Sequence, residues 1–360
     1  MSVQEVNAYS LVHATVRALY STMLTPETWD ALVQAQDFDA VLSVLSKTVY
    51  GPYLQIERQE LTPRRAVYQI RWHLTDVYEK LIRLTPEPGR QLLLQYWRFY
   101  EVSNLKATLR GVEAGASWDQ VRHLLFPMTR YITLTAADME KMIRSGDMTR
   151  AIECTRHTPY YDTLVHALER YQAEKNLFPL EVALDLDYHR WLWQSINQLT
   201  GIDHEQTLRV VGTVLDVNNL LWAIRYRVYH HLSEQEIINY TLPFGYQVRD
   251  EDIRAIAAGA DIAQVVGHIY PDVEVSPLIS GEDGLAALEL SLRRHVVKTC
   301  RAAFIGYPFH VGIPAAYLLL NEHEIRDLTV LIEAKASRLP AEAFVSMLAT
   351  RSPAYQTDQR

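Results

Sequence analysis

Cysteine is almost missing from this chain: Cys154 and Cys300 are the only two among 360 residues. They stand far apart, without a CxxC or Cys/His ligand spacing, which excludes a disulfide framework and a structural zinc site and fits a reducing compartment. Glycine is scarce, at 14 residues. No Gly-Lys-Ser or Gly-Lys-Thr occurs, so the chain has no phosphate-cradling P-loop and is not a nucleotide-hydrolysing component. GxGxxG, GxSxG and HExxH are missing too. The longest apolar stretches, such as residues 313–320, fall far short of the roughly 20 residues that a membrane span needs. Residues 1–9 are polar and lack the basic-then-apolar pattern of a signal peptide, so the chain is expected to be soluble. Excess positive charge is also missing: 35 Lys and Arg face 43 Asp and Glu, a net charge of −8. That balance gives no electrostatic case for nucleic acid or an anionic membrane surface.

Strand signals are equally thin. No segment alternates Val, Ile and Thr between Asn-Gly or Asp-Gly turns. Ala, Leu, Glu, Gln and Arg instead fill long stretches with apolar residues three and four apart. The reading is an all-α chain with more than fifteen helices, most of them short. The longer ones are expected near residues 71–84, 182–199 and 285–304.

The chain also repeats itself. Laid 110 positions apart without a gap, Leu24, Thr25, Asp37, Thr48, Tyr50 and Leu54 fall on Leu134, Thr135, Asp147, Thr158, Tyr160 and Leu164. Trp29, Leu32, Val33 and Leu42 fall on Met139, Met142, Ile143 and Ile152. A third copy keeps the spacing at Ile253, Ile256, Asp261, Ile262 and Val266. A second repeated element is an acid followed by Asn or Asp and Leu: Glu101 with Asn104, Leu105 and Arg110, Asp216 with Asn219, Leu220 and Arg225, and Glu324 with Asp327 and Leu328. Leu and the aliphatic four residues on share one helix face, and the short polar residue beside them is suited to bonding backbone groups or a neighbouring helix. A third element is a capping box: Ser117 with Gln120 and Ser233 with Glu236, each leading to a proline, Pro127 or Pro243, that stops the helix. Thr135 with Asp138 opens the following helix in the same way, and Pro26 after Thr25 suits a first helical position.

Each unit thus reads as helix A with its acid and Asn-Leu, a capped helix B, a helix C with its Asp (residues 29–45 in the first copy), and longer helices. The last A-like and B-like pieces, residues 324–334 and 342–348, have no C after them. The N-terminus has a C preceded by one helix, residues 9–22. These pieces are expected to meet and close a three-unit array, divided as residues 1–96, 97–210 and 211–315, with residues 316–360 closing onto the first repeat.

Reactive constellations are hard to find. His230 and His231 are adjacent and point about 100° apart on a helix, so they share no face; Glu322, His323 and Glu324 are the other dense cluster. Both read as surface or helix-end residues and not as metal ligands. Trp191 with Trp193 and Tyr160 with Tyr161 lack basic residues between them and read as core or interface packing. Asn104, Asn219 and Asp327 read as caps or cross-bonds inside each repeat. Asp37, Asp147 and Asp261 fit helix or turn termini. Arg17, Arg110 and Arg225 stand near helix ends, where salt bridges are the default. No catalytic, cofactor or metal residue is assigned.

In their order and three-fold spacing these residues resemble the C-subunit family of V/A-type rotary ATPases, to which the d-subunit of the vacuolar ATPase belongs. The resemblance runs from residues 9–50, with Arg17, through 101–111 and 216–227 to 321–328 and Lys335. It implies a closed, funnel-shaped body of three pseudo-repeats that catalyses nothing. It further implies a wide side seated on the membrane proteolipid ring and an opposite side receiving the central shaft, made of the D and F polypeptides. Torque would pass between them during proton or sodium transport coupled to ATP hydrolysis or synthesis. Such a protein is peripheral on the cytoplasmic face of the membrane, without a transmembrane segment, cofactor or nucleic acid of its own. The last repeat departs from the pattern, with Asp327 for Asn and Glu333 for Arg. The alternative is an unrelated helical-repeat interaction scaffold, although open solenoids use periods of roughly 33 to 47 residues. A helical hydrolase built on His and carboxylates is a third reading.

Overall fold

The computed structural model describes residues 3–57, 60–275 and 282–351, with the side chains of residues 3–7 and 282–283 left out. Residues 1–2 of the polar N-terminal stretch and 352–360 of the expected closing segment lie outside the described residues. Among the described residues there are seventeen α-helices and no strand. The chain is all-α, and it forms two compact units, Glu87–Leu199 and Met1–Pro86 with Thr200–Arg360.

The unit Glu87–Leu199 is built on α5 (Gly89–Glu113) and α10 (Phe178–Asn197), which pack together. Leu92, Leu93, Trp97, Leu105 and Leu109 of α5 are fully buried, as is Leu180 of α10. Between them run α6 (Trp118–Val121), α7 (Ala136–Ser145), α8 (Met148–Glu153) and α9 (Tyr161–Glu174). The Ser117 box closes, with the Gln120 carboxamide accepting from the Ser117 amide at 2.8 Å. The Thr135 box closes likewise: Asp138 accepts from the Thr135 amide at 3.0 Å, and Thr135 Oγ1 accepts from the Asp138 amide at 3.2 Å.

In the other unit α1 (Val3–Tyr20), α2 (Pro26–Gln34), α3 (Phe38–Leu45) and α4 (Pro63–Leu84) come from the N-terminal part of the chain. After residue 200 follow α11 (Gly201–Thr207), α12 (Thr213–Val228), α13 (Glu234–Asn239), α14 (Asp250–Ala257), α15 (Ile262–Ile269), α16 (Glu282–Ala302) and α17 (Gly312–Ala336). A π-helical turn, Leu208–Gly212, joins α11 to α12. The apolar run of residues 313–320 lies in α17, where every residue from Gly312 to Asn321 is buried. A helix apolar on all sides belongs in a core, and α17 packs against α4, α1, α3 and α16. No described helix is long and apolar enough to cross a membrane.

Two sequence expectations are corrected. Residues 29–45 form two helices, not one helix C, because Asp37 caps α3 by accepting from the Ala40 amide at 2.9 Å. Asp147 and Asp261 start α8 and α15 in the same way, accepting from Arg150 and Gln264 at 2.9 Å each. In the second copy Gly146, at φ 63°, adds a left-handed stop just before its Asp. Residues 342–348 form no α-helix, only the 3₁₀ turns Ala341–Ala343 and Val345–Met347. The Ser346 and Leu348 carbonyls accept from Arg294 of α16 at 2.8 and 3.4 Å, and the Thr350 carbonyl just beyond accepts from Arg301 at 2.9 Å, so this segment's carbonyls are bonded to a neighbouring helix.

Candidate functional site

The acids that open the A-helix pattern lie deep in the fold, and each receives a distant tyrosine. Glu101 of α5 is 2% exposed. It accepts from the amides of Thr133 and Leu134 and the Thr133 hydroxyl, and the Tyr160 hydroxyl donates to it at 2.5 Å. Asp216 of α12 accepts from the amides of Tyr246 at 2.7 Å, Gln247 at 2.6 Å and Val248 at 3.2 Å, and from the Tyr270 hydroxyl at 3.2 Å. Glu324 of α17 accepts from the Leu24 amide at 2.9 Å and the Tyr50 hydroxyl at 2.7 Å. In each case a buried carboxylate fixes the chain entering a short helix and a tyrosine beyond the helix after it: Tyr50 and Tyr160 precede the next helical turn, and Tyr270 directly ends α15. Charge-assisted bonds of this kind contribute about 1.5–3 kcal/mol each.

Burial and the adjoining carboxylate push the Tyr50, Tyr160 and Tyr270 hydroxyls far above the ordinary tyrosine range, so all three keep their protons and act as donors. Burial raises Asp216 despite its amide donors. It raises Glu324 to about 7.

The second polar position answers a different need. Asn104 grips both backbone groups of Phe126, donating to its carbonyl at 2.9 Å and accepting from its amide at 2.6 Å. Asn219 does the same to Leu242, at 2.9 and 2.8 Å. Phe126 and Leu242 each precede a proline, which holds the backbone extended. In the last copy no carbonyl is presented. Asp327 accepts from the Ala349 and Thr350 amides at 3.0 and 2.7 Å and from the Thr350 hydroxyl at 2.6 Å. A group facing only donors must be a carboxylate, which accounts for Asp where the other copies have Asn. Leu105, Leu220 and Leu328, beside these residues, are fully buried.

The remaining repeat positions sit nearer the surface. Arg110 pairs with Glu181 of α10 at 2.6 Å and Arg225 pairs with Glu289 of α16, in both cases an arginine near the end of its helix meeting an acid of another. Glu333, at the matching place in α17, is exposed. Arg17 donates to the Phe304 carbonyl at 2.8 Å and lies over its ring, and Lys335 donates to the Val33 carbonyl at 2.7 Å. His230 and His231 are exposed beyond the end of α12, whereas Glu322, His323 and Glu324 lie inside α17 with Glu324 buried, and are not the surface or helix-end residues expected. Tyr160 is buried against Trp191. Among the described residues no group of three or more His, Cys, Asp or Glu is placed to hold a metal ion.

Sequence reasoning finds the acids as part of a pattern and Tyr50 and Tyr160 as aligned positions, but does not join them. The recurrence of both is the available signal. It is weakened in the third copy, where Tyr270 stands nine residues after Asp261, whereas Tyr50 and Tyr160 stand thirteen after Asp37 and Asp147.

The fold and these buried clasps define an all-α protein whose short helices are tied by carboxylates and carboxamides to backbone groups tens to hundreds of residues away. The chain belongs to the ATP synthase (C/AC39) subunit family, whose sequence model matches residues 12–346. It is 23% identical over 347 residues to the C-subunit of the A-type ATP synthase of Methanocaldococcus jannaschii, covering 94% of this chain and 86% of that protein. The Archaeoglobus fulgidus protein of the same name is 24% identical, with 93% and 94% covered. That of Methanobrevibacter smithii is 26% identical, with 72% and 68% covered.

Proposed function

We propose that this chain is the non-catalytic central-stalk connector of a V/A-type rotary ATPase. It links the shaft of the D and F polypeptides to the membrane proteolipid ring and carries torque for proton or sodium transport coupled to ATP hydrolysis or synthesis. The observation that carries the reading is the family match over residues 12–346, together with relatives named as the C-subunit of A-type ATP synthases. In this reading the protein is peripheral on the cytoplasmic face of the membrane and reaches the bilayer through its partners.

The buried clasps support a mechanical role. A torque-bearing part must resist shear between helices, and a buried carboxylate that ties a helix to a remote loop resists sliding better than apolar packing alone. The repeat residues Asn104, Asn219 and Asp327, with Leu105, Leu220, Leu328, Arg110, Arg225 and the capping Asp37, Asp147 and Asp261, are structural in this scheme. They mark three modules, residues 1–96, 97–210 and 211–315, with 316–360 completing the first.

The test is purification of a tagged chain from native membranes. Recovery with the proteolipid ring and the shaft polypeptides, and loss of ion transport coupled to ATPase activity on deletion, is the expected result. Recovery alone, with coupling intact after deletion, overturns the reading.

A further inference from the structure

The three buried acids are not equally well held. Among the described residues four donors reach Glu101 and four reach Asp216, but only the Leu24 amide and the Tyr50 hydroxyl reach Glu324. No cation among the described residues pairs with Glu324, which is 2% exposed. A carboxylate with two donors and no direct ion pair is poorly compensated for leaving water.

The surroundings hold a proton acceptor with no donor. Asn321, three residues before Glu324 on α17, is buried, and its Oδ1 has no hydrogen-bond partner. Its side chain also reaches the Tyr50 hydroxyl. On the other side of Tyr50, the ring of His73 from α4 meets the tyrosine edge-on at 5.1 Å, and its Nε2 is buried without a partner. With Glu324 ionised, Tyr50 donates to it, the Asn321 amide donates to the Tyr50 oxygen and Asn321 Oδ1 stays empty. With Glu324 protonated, its carboxyl O–H donates to Tyr50, the Asn321 carboxamide turns over so that its Oδ1 accepts from the Tyr50 O–H, and the Leu24 amide keeps its carboxyl oxygen. The protonated arrangement keeps the same number of hydrogen bonds and has no buried charge.

We propose that Glu324, Tyr50 and Asn321 form a protonation-dependent latch on the seam between the N-terminal helices and α17, tighter when Glu324 carries a proton. Burial raises Glu324 to about 7, which puts the switch near neutrality. The sign follows from that elevation. Glu324 binds its proton more tightly in the closed seam, so its contribution is complete below the ordinary carboxyl range and is lost as pH rises through about 7.

Other titratable and charged groups surround the latch. On α17 itself are Tyr317 and Asp327, and Asp327 adds negative charge that favours the proton. From α16, Arg301 opposes protonation while its guanidinium is engaged by the Thr350 carbonyl, and Arg293 faces Asp327. From α4 come His73 and Asp76, the latter bonded by the Tyr53 hydroxyl. From α1 come Tyr9, bonded to Asp203 of α11, with His13 and Arg17. The buried residues of α3 are Val41, Leu42 and Leu45. His73 is pushed down to about 4 by burial and favours opening as pH falls, against Glu324, so the latch must be read as a difference.

The experiment is amide hydrogen exchange of the full chain over residues 24–54, in wild type and Glu324→Gln, from pH 6 to 8.5, corrected for intrinsic base catalysis. Glutamine has the neutral shape of the protonated acid and does not titrate. The ratio of the seam-opening constant in wild type to that in the variant is expected to rise about tenfold over that range, while the His73 contribution cancels. A ratio constant with pH overturns the latch. Should Glu324→Gln not fold, infrared difference spectra of wild type carrying ¹³C-labelled glutamate decide it. A shifted carboxyl C=O band present at pH 6 and gone at pH 8.5 supports the latch, and no such band at pH 6 overturns it.

Discussion

Tyr50 donates its hydroxyl to Glu324 at 2.7 Å across 274 positions of sequence, and this bond ties the N-terminal helices to the last long helix. The pairs Tyr160–Glu101 and Tyr270–Asp216 repeat it at separations of 59 and 54. With the acids ionised the hydroxyl is the donor in every case, so its removal then leaves a buried carboxylate short of one partner. Tyr50→Phe is expected to lower stability by about 2–3 kcal/mol, read from the midpoint of urea unfolding. Because Glu324 keeps one donor and Glu101 keeps three, Tyr50→Phe is expected to cost more than Tyr160→Phe.

The choice between Asn and Asp at the second polar position makes a reciprocal test. Asn219→Asp sets a carboxylate oxygen against the Leu242 carbonyl that the native amide satisfies. Asp327→Asn turns an amide nitrogen toward the Ala349 and Thr350 amides or leaves one of them unpaired. Each swap is near-isosteric, so cavity effects are small, and each is expected to cost about 2–3 kcal/mol in thermal or denaturant unfolding. If both swaps prove neutral, these residues are not the loop anchors described above.

Much of this framework is legible in residue order. The capping boxes at Ser117, Thr135 and Ser233, the proline stops and the Asn-Leu helices follow from local chemistry, which acts over three or four residues. The division of residues 29–45 into two helices is hidden, because the apolar spacing carries on across Asp37 while the cap that breaks it is a single side chain. Residues 342–348 carry helical spacing too, yet Arg294 of another helix takes the Ser346 and Leu348 carbonyls. The acid–tyrosine clasps are least legible. Their partners meet only after the chain has returned on itself, and local periodicity does not encode that return. The proposed function rests on the family match, and no motif in the chain states it.

A glycine marks how closely one clasp is drawn. A Cβ added at Gly245 would lie 2.4 Å from Asp216 Oδ1 and 2.4 Å from the Val248 carbonyl oxygen. Neither atom can retreat without breaking the amide bonds that hold Asp216. Gly245→Ala is therefore expected to destabilise by about 2–3 kcal/mol despite adding one methyl. The accompanying change is faster amide exchange at Gln247 and Val248.

Arg227 closes the end of α14 from outside that helix. Its guanidinium donates to the carbonyls of Ile256 at 3.0 Å, Gly259 at 3.0 Å and Ala260 at 2.7 Å. Three carbonyls in a fan suit a planar five-donor fork, and a lysine ammonium cannot span them all. Arg227→Lys is expected to lose about 1 kcal/mol and Arg227→Ala about 2 kcal/mol. Calorimetric unfolding of the two variants gives the order; equal losses would mean that charge alone matters.

The acid limb of stability sets Glu324 against His73. Burial pushes His73 down to about 4, so the unfolded chain binds its proton first and stability falls as pH drops from the ordinary histidine range towards 4. Glu324, raised to about 7, gains its proton first in the folded chain and adds stability over the same interval. Between pH 7 and pH 5 each group changes stability by about 2 kcal/mol, in opposite directions. Removing one exposes the other. Glu324→Gln is expected to lose about 2 kcal/mol more than wild type on going from pH 7 to pH 5, whereas His73→Leu loses about 2 kcal/mol less. Comparing the pH slopes of urea midpoints, and not their absolute values, removes the cavity left at His73 from the comparison. Parallel slopes in all three proteins would mean that neither side chain changes its proton affinity on folding.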